Sequence, residues 1–143
     1  MTDKLLIDTN ILVYAYNVDE GKKHEIAQRL IEQLLQEHER IYLSAQTLSE
    51  FFTVVTRKTS RPLSPGEAKE IVMLTTKDER FAVLPITKES VQQAILIHMK
   101  TECKYWDCLI AAVMQEHAIT IIYTEDADFK KIPWLTVIDP FRS

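Results

Sequence analysis

Glycine is almost missing from this chain. There are two glycines and five prolines in 143 residues. Neither a GxGxxG fingerprint nor a GxxxxGK(S/T) loop occurs, so dinucleotide and P-loop chemistry fall away. Long flexible linkers and low-complexity segments are also excluded. Cysteine is limited to Cys103 and Cys108. They have neither CxxC spacing nor metal-ligand company, and read as free thiols of a reducing cytoplasm. The four histidines, His24, His38, His98 and His117, form no HExxH pair and read as non-catalytic. No apolar run approaches the roughly 20 residues of a membrane span. MTDKLLID has one Lys and no small-residue cleavage pattern, so it does not read as a signal peptide. A cytoplasmic protein without membrane contact is expected.

An excess of positive charge is also lacking. Seventeen Lys and Arg face twenty-one Asp and Glu, for a net charge of -4. That argues against a general nucleic-acid binder. It leaves room for an enzyme with an acidic metal pocket and a local basic rim.

What is present fits one domain, residues 1–143. Hydrophobic residues are 46% and charged residues 27%, and a chain of this size hides about 70% of its extended surface. Short apolar runs alternate with helical patterns. Strands are expected at 4–7, 41–43, 81–85, 119–123 and 135–138, with ITIIY, the most β-branched, as a central strand. Apolar residues at 26, 27, 30, 31, 34 and 35 give helical spacing. Ser44 opens a helix with an expected inward stripe of Leu48, Phe51, Phe52 and Val55. Ser64-Pro65-Gly66-Glu67 carries a cap hydroxyl, a first-position proline and a capping-box acid. Thr87 caps another helix, and Tyr105-Trp106-Asp107 begins the next. The alternation predicts an α/β fold with a parallel sheet and helices on both faces.

Acids recur where such sheets bind ligands, at the carboxyl ends of strands. Asp8 ends LLI, with Thr9 and Asn10 following. Glu50 lies two turns into the Ser44 helix. Asp107 sits between Trp106 and CLIAAVM. ITIIY ends in Thr124-Glu125-Asp126-Ala127-Asp128. A half-buried carboxylate without a partner costs several kcal/mol or shifts its pKa. Carboxylates gathered around Mg²⁺ or Mn²⁺ resolve that cost, because hard ions take oxygen ligands. Such a cluster can activate a water for attack on phosphorus. Asn10 is placed to orient a ligand or water, and Thr124 to hold a carboxylate.

Each residue also has a plainer reading. Asp8 can be a helix cap. Glu50 can reach solvent, Asp107 suits a helix start, and Asp126 and Asp128 suit a polar turn. Trp106 reads first as core or rim packing, with base stacking as the alternative.

The segments DTNIL (8–12), LSAQTLSEF (43–51), WDCLIAA (106–112) and YTEDADF (123–129) together resemble the PIN-domain ribonucleases. The likeness is greatest to VapC-type toxins of toxin–antitoxin pairs, and runs from residue 5 to VIDPF (137–141). It implies one PIN-like domain with a five-stranded parallel sheet in order 3-2-1-4-5. It implies Mg²⁺ or Mn²⁺ held by Asp8, Glu50, Asp107 and Asp126, with Asp128 a possible further ligand and Asn10 and Thr124 in support. It implies cleavage of RNA, a homodimer, and an antitoxin protein as partner. Helices of SEFFTVV and KEIVMLTT are the expected dimer surface. FKKIPW departs from the family, where many members carry a Gly-containing loop. Candidate RNA contacts are Arg57, Lys58, Arg61, Lys100, Lys104, Lys130 and Lys131, whose plainer role is a solvated surface.

The same acids bear on other classes. A haloacid-dehalogenase-type phosphatase needs a second Asp at the Asn10 position. A receiver domain needs acids before the final Asp of its first strand and a late Lys. Within the family, a housekeeping RNA-processing nuclease and a catalytically inactive interaction protein remain alternatives.

Overall fold

LLI forms the middle strand of the sheet. In the computed structural model, which describes residues 3–142, β1 (Leu5–Ile7) is buried along its length. Leu5 and Ile7 join a core with Ile11, Ala27, Leu34 and Ile41. Leu6 joins another with Ile110, Val113, Met114 and Ile122. A strand covered on both faces has no polar side, so it reads as a continuous apolar run. The expectation for MTDKLLID falls partly on Met1 and Thr2, outside the described residues.

β2 (Ile41–Ser44) and β4 (Ile121–Tyr123) pair with β1 in parallel, one on each side. Leu6 is opposite Tyr42 in one ladder and Ile122 in the other. β3 (Phe81–Leu84) adds to β2 and β5 (Thr136–Ile138) to β4. The order is β3-β2-β1-β4-β5, all parallel, as the resemblance implies. β4 is shorter than ITIIY and lies inside the sheet between β1 and β5, as expected of a central strand, while β1 is the middle one. ITIIY is rich in branched residues because β4 lies between two neighbours, which does not require it to be the middle strand.

Six helices surround the sheet among the described residues: α1 (Thr9–Tyr16), α2 (Lys22–Glu37), α3 (Ala45–Arg57), α4 (Pro65–Lys77), α5 (Lys88–Thr101) and α6 (Tyr105–Glu116). α1 and α2 cover one face through Ile11, Ala15, Ala27 and Leu34. α6 covers the other, with α5 packed on it through Ala94, Ile97, Leu109 and Ala112. α3 and α4 extend the α1 side through Leu12, Val13, Phe51, Val55 and Ala68. The predicted caps form. Ser64 and Glu67 make a reciprocal capping box, as do Thr87 and Ser90. Phe52 departs from expectation. It is 38% exposed, while Phe51 and Val55 are buried. One residue turns a helix by about 100°, which moves Phe52 off the core stripe to a groove with Leu48, Val72 and Met73. Among the described residues no helix is long and apolar enough to cross a membrane.

Candidate metal centre

The order 3-2-1-4-5 reverses direction between β1 and β4, and a crevice opens there beyond the strand ends. Asp8 and Thr124 are the first residues past those two strands. The Asp8 N–H continues the ladder by donating to the Tyr123 carbonyl at 3.0 Å. A cleft of about 580 Å³ lies above them, and Asp8, Asn10, Glu50, Lys104, Asp107 and Asp126 are among its walls.

Asp8 is 6% exposed and caps α1. Its Oδ1 accepts from the Thr9 N–H at 2.8 Å. Its Oδ2 accepts from Thr124 Oγ1 at 2.7 Å and from Asn10 Nδ2 at 3.3 Å. The Thr124 hydroxyl also accepts from Asn10 Nδ2 and from the Asp126 N–H, at 3.2 and 3.0 Å. One donor and two acceptor sites are thus all used. Cap and site are one role here: the helix cap fixes the carboxylate at the strand end.

Glu50 comes from the second turn of α3. Its Oε1 accepts from Thr9 Oγ1 at 2.8 Å and its Oε2 from Gln46 Nε2 at 3.4 Å. Gln46 Nε2 also donates to the Trp106 carbonyl at 3.0 Å, tying α3 to the start of α6. Asp107 lies in the first turn of α6. Its Oδ2 is buried without a hydrogen-bond partner, and Lys104 Nζ is 3.6 Å away. Asp126 accepts from Lys104 Nζ at 2.8 Å through Oδ2, and its Oδ1 caps the following turn by accepting from the Asp128 N–H.

Burial pushes the Asp8 carboxyl up to about 6. The Thr124 and Thr9 hydrogen bonds pull it back, and the charges of Glu50 and Asp126 push it further up. Asp107 moves the same way, first by burial and then by the neighbouring Asp126 charge. Burial pushes Asp126 up as well, but the Lys104 ammonium and the Asp128 N–H hold it below the usual carboxylate range. Negative charge is therefore crowded at the cleft floor.

This donor set fits a hard divalent cation. Four carboxylates, Asp8, Glu50, Asp107 and Asp126, face one cleft, and the buried Asp107 Oδ2 lacks a donor. A buried polar atom without a partner calls for one, and oxygen ligands suit Mg²⁺ and Mn²⁺.

Asp128 is placed differently. It is not among the cleft walls. Its Oδ2 accepts from the Lys104 N–H at 2.7 Å, and its Oδ1 meets Lys131 Nζ at 2.9 Å. Ligand atoms of Asp128, Asp107 and Cys103 do lie within 4.8 Å of one another. Burial holds the Cys103 thiol strongly protonated, which makes it a poor partner for a hard ion.

Two of the seven candidate RNA contacts, Lys58 and Lys104, line the cleft. Arg61 pairs with Asp19 at 3.1 Å, and Lys131 with Asp128. Lys100 and Lys131 border a separate depression with Trp134, and Lys130 borders a third beside Arg142. Arg57 is in the last turn of α3, outside the cleft walls. Trp106 is 62% exposed and lines the cleft, so it is a rim residue and not core. No histidine lines the cleft among the described residues.

The sequence did not single out Tyr14, Lys23 or Glu125. The Tyr14 hydroxyl donates to Glu125 Oε2, and Lys23 Nζ reaches Glu125 Oε1 at 2.9 Å. The Glu125 N–H meets Asn10 Oδ1 at 3.4 Å. Together they pin the Thr124–Asp126 segment to α1 and α2. Glu125 beside the acids was the available signal, but its partners lie more than 100 residues away.

Comparison with known proteins follows the same lines. A family model described as PIN domain matches residues 5–135. Similar solved structures include a toxin–antitoxin complex from Klebsiella pneumoniae, 19% identical, covering 98% of this chain and 100% of that one, with a TM-score of 0.69. VapC20 of Mycobacterium tuberculosis, described as a sarcin-ricin loop cleaving toxin, is 21% identical over 89% of this chain and 93% of its own, with a TM-score of 0.68. DNA-bound VapBC from Salmonella typhimurium is 18% identical over 97% and 99%, with a TM-score of 0.70. At these identities the likeness is one of fold. Compared by sequence with curated proteins, the chain has no match.

Proposed function

The chain belongs to the PIN-domain family, and we propose that it is a divalent-metal-dependent endoribonuclease, the toxin of a toxin–antitoxin pair. One observation carries the reading. Four carboxylates from α1's cap, α3, α6 and the β4 end converge on one cleft, and the Asp107 Oδ2 among them is buried without a donor.

In this reading Asp8, Glu50, Asp107 and Asp126 hold Mg²⁺ or Mn²⁺. Such an ion supplies charge to a phosphodiester and lowers the pKa of a water for in-line attack. Thr124, Asn10 and the Thr9 N–H keep Asp8 fixed. Thr9 Oγ1 and Gln46 do the same for Glu50. Prefixed ligands spare the site reorganisation during the reaction. Lys58 and Lys104 give the cleft its positive groups for phosphate, and the exposed Trp106 ring offers a face for a base. Asp128 serves as an anchor for Lys104 in preference to a ligand, since its oxygens are already engaged.

The toxin role rests on relatives that are themselves described as toxins or toxin–antitoxin complexes. A cognate antitoxin is the proposed protein partner. We read residues 1–143 as one cytoplasmic domain that pairs as a homodimer through the α3–α4 groove of Leu48, Phe52, Val72 and Met73.

The test uses purified protein and single-stranded and hairpin RNAs. Cleavage is expected with Mn²⁺, none with excess chelator, and none with Asp107→Asn. Cleavage that survives chelation, or is unchanged in Asp107→Asn, overturns the reading. Induced expression should arrest growth, and Asp107→Asn should relieve it; equal growth removes the toxin role and leaves a processing nuclease.

A further inference from the structure

Lys104 is an unusual residue for its position. It stands at the N-cap of α6 and makes no side-chain cap bond. Helices prefer Ser, Thr, Asp or Asn there, and negative charge over positive. Its Nζ is bound at 2.8 Å to Asp126 Oδ2 and lies 3.6 Å from the donor-less Asp107 Oδ2. One ammonium thus serves two of the acids assigned above to the metal. A divalent ion on the same oxygens would sit beside a third positive charge at a few ångströms, where like charges repel strongly.

The backbone of Lys104 is held independently of its side chain. Its N–H donates to Asp128 Oδ2 at 2.7 Å, and its carbonyl accepts from the Cys108 N–H at 2.9 Å. Just before it, Glu102 adopts a left-handed turn, φ 61° and ψ 15°, that ends α5. The side chain is 63% exposed. Its partners are less open, Asp107 at 14% and Asp126 at 29%, so only the ammonium end faces water, and the flexible four-carbon stem lets it move without the helix moving.

We propose that Lys104 is the internal counter-ion of the site. With a divalent ion held by Asp126 and Asp107, the Lys104 ammonium would leave those oxygens and take a phosphate oxygen of the RNA at the cleft wall. This deepens the nuclease reading and rests on it. The residue couples metal loading to substrate binding: without the cation it is engaged by the acids, and with the cation it is available to RNA. Lys58 lines the same cleft without a carboxylate partner among the described ion pairs, and so provides the comparison.

The experiment titrates Mn²⁺ by calorimetry, without RNA, into wild type, Lys104→Met and Lys58→Met. Lys104→Met should bind about threefold tighter, since the ion no longer displaces an ammonium from Asp126 and Asp107; Lys58→Met should match wild type. Lys104→Gln serves as the second variant if Lys104→Met does not fold. A 2′-O-methylated single-stranded RNA is then bound with and without Mg²⁺. Lys104→Met should weaken binding only with Mg²⁺ present, and Lys58→Met in both conditions. Equal or weaker Mn²⁺ binding by Lys104→Met, or an RNA loss independent of Mg²⁺, overturns this inference alone. Absence of Mn²⁺ binding in all three proteins overturns the metal reading and this inference with it.

Discussion

Thr124 Oγ1 donates a 2.7 Å hydrogen bond to Asp8 Oδ2 across 116 residues of sequence. It joins the ends of the two strands that flank the sheet's reversal point. The bond is buried, and it opposes the rise that burial imposes on Asp8. Thr124→Val should therefore destabilise the fold by about 1–3 kcal/mol, the usual cost of an unpaired buried polar group. It should also weaken Mn²⁺ binding. Urea unfolding and calorimetry measure both, and Thr124→Ser should recover most of each loss.

The crowded acids set a pH dependence. Asp8 titrates near 6 in the folded protein against an ordinary value of 3.8, and Asp107 is raised as well. Between those values the unfolded chain has released a proton that the folded chain keeps. Stability from Asp8 is thus full below about pH 4 and is lost as pH rises through 6. In chelator, wild type should lose stability from pH 4 to 7 relative to Asp8→Asn, by about 2–3 kcal/mol. Asp128, held down to about 2 by the Lys104 N–H and Lys131, acts in the opposite direction, its stability lost below about pH 4. Urea melts of the two proteins at each pH give the difference; a constant difference would contradict the assignment.

Glu102 is a non-glycine residue in the left-handed region, at φ 61°. That conformation costs roughly 1 kcal/mol for a residue with a Cβ, and glycine is favoured at such helix ends. Glu102→Gly should raise stability by about 0.5–1 kcal/mol. It should leave Mn²⁺ affinity unchanged, because Lys104 and Asp107 keep their anchors in Asp128 and α6. Thermal and urea melts check the first part, calorimetry the second.

The fold was legible because its signals are local. LLI marks a strand buried along its length and ITIIY one flanked by strands on both sides, and Ser64 and Thr87 mark caps whose partners lie three residues away. Asp8, Glu50, Asp107 and Asp126 were legible as acids in apolar settings, which sequence can display without coordinates. Side-chain direction was not. A 3.6-residue period admits Phe52 to the apolar stripe of α3, yet one step of rotation places it in the α4 groove. Lys100 and Lys104 look equivalent before Asp107, but Lys100 belongs to α5 and faces another depression. Gln46, Tyr14, Lys23 and Glu125 carry no motif, and their meaning arises only from partners brought together by the sheet.

The Glu125 contacts give a further expectation. Glu125→Gln keeps the shape but removes the charge that holds Lys23, and weakens acceptance from Tyr14. The segment carrying Asp126 should loosen, lowering Mn²⁺ affinity several-fold, since losing such supporting contacts commonly costs about 10-fold or more. Tyr14→Phe should do the same to a smaller extent, because Lys23 remains. Affinity unchanged in both would show that Asp126 is placed by Lys104 and its own turn.

The proposed nuclease activity depends on Asp8, Glu50, Asp107 and Asp126 holding one cation. Calorimetric titration of Mn²⁺ into the purified protein, with Asp8→Asn beside it, reads that binding without any RNA. Saturable binding in wild type that is lost or greatly weakened in Asp8→Asn is the expected result. No binding in wild type, or equal binding in both proteins, would contradict it.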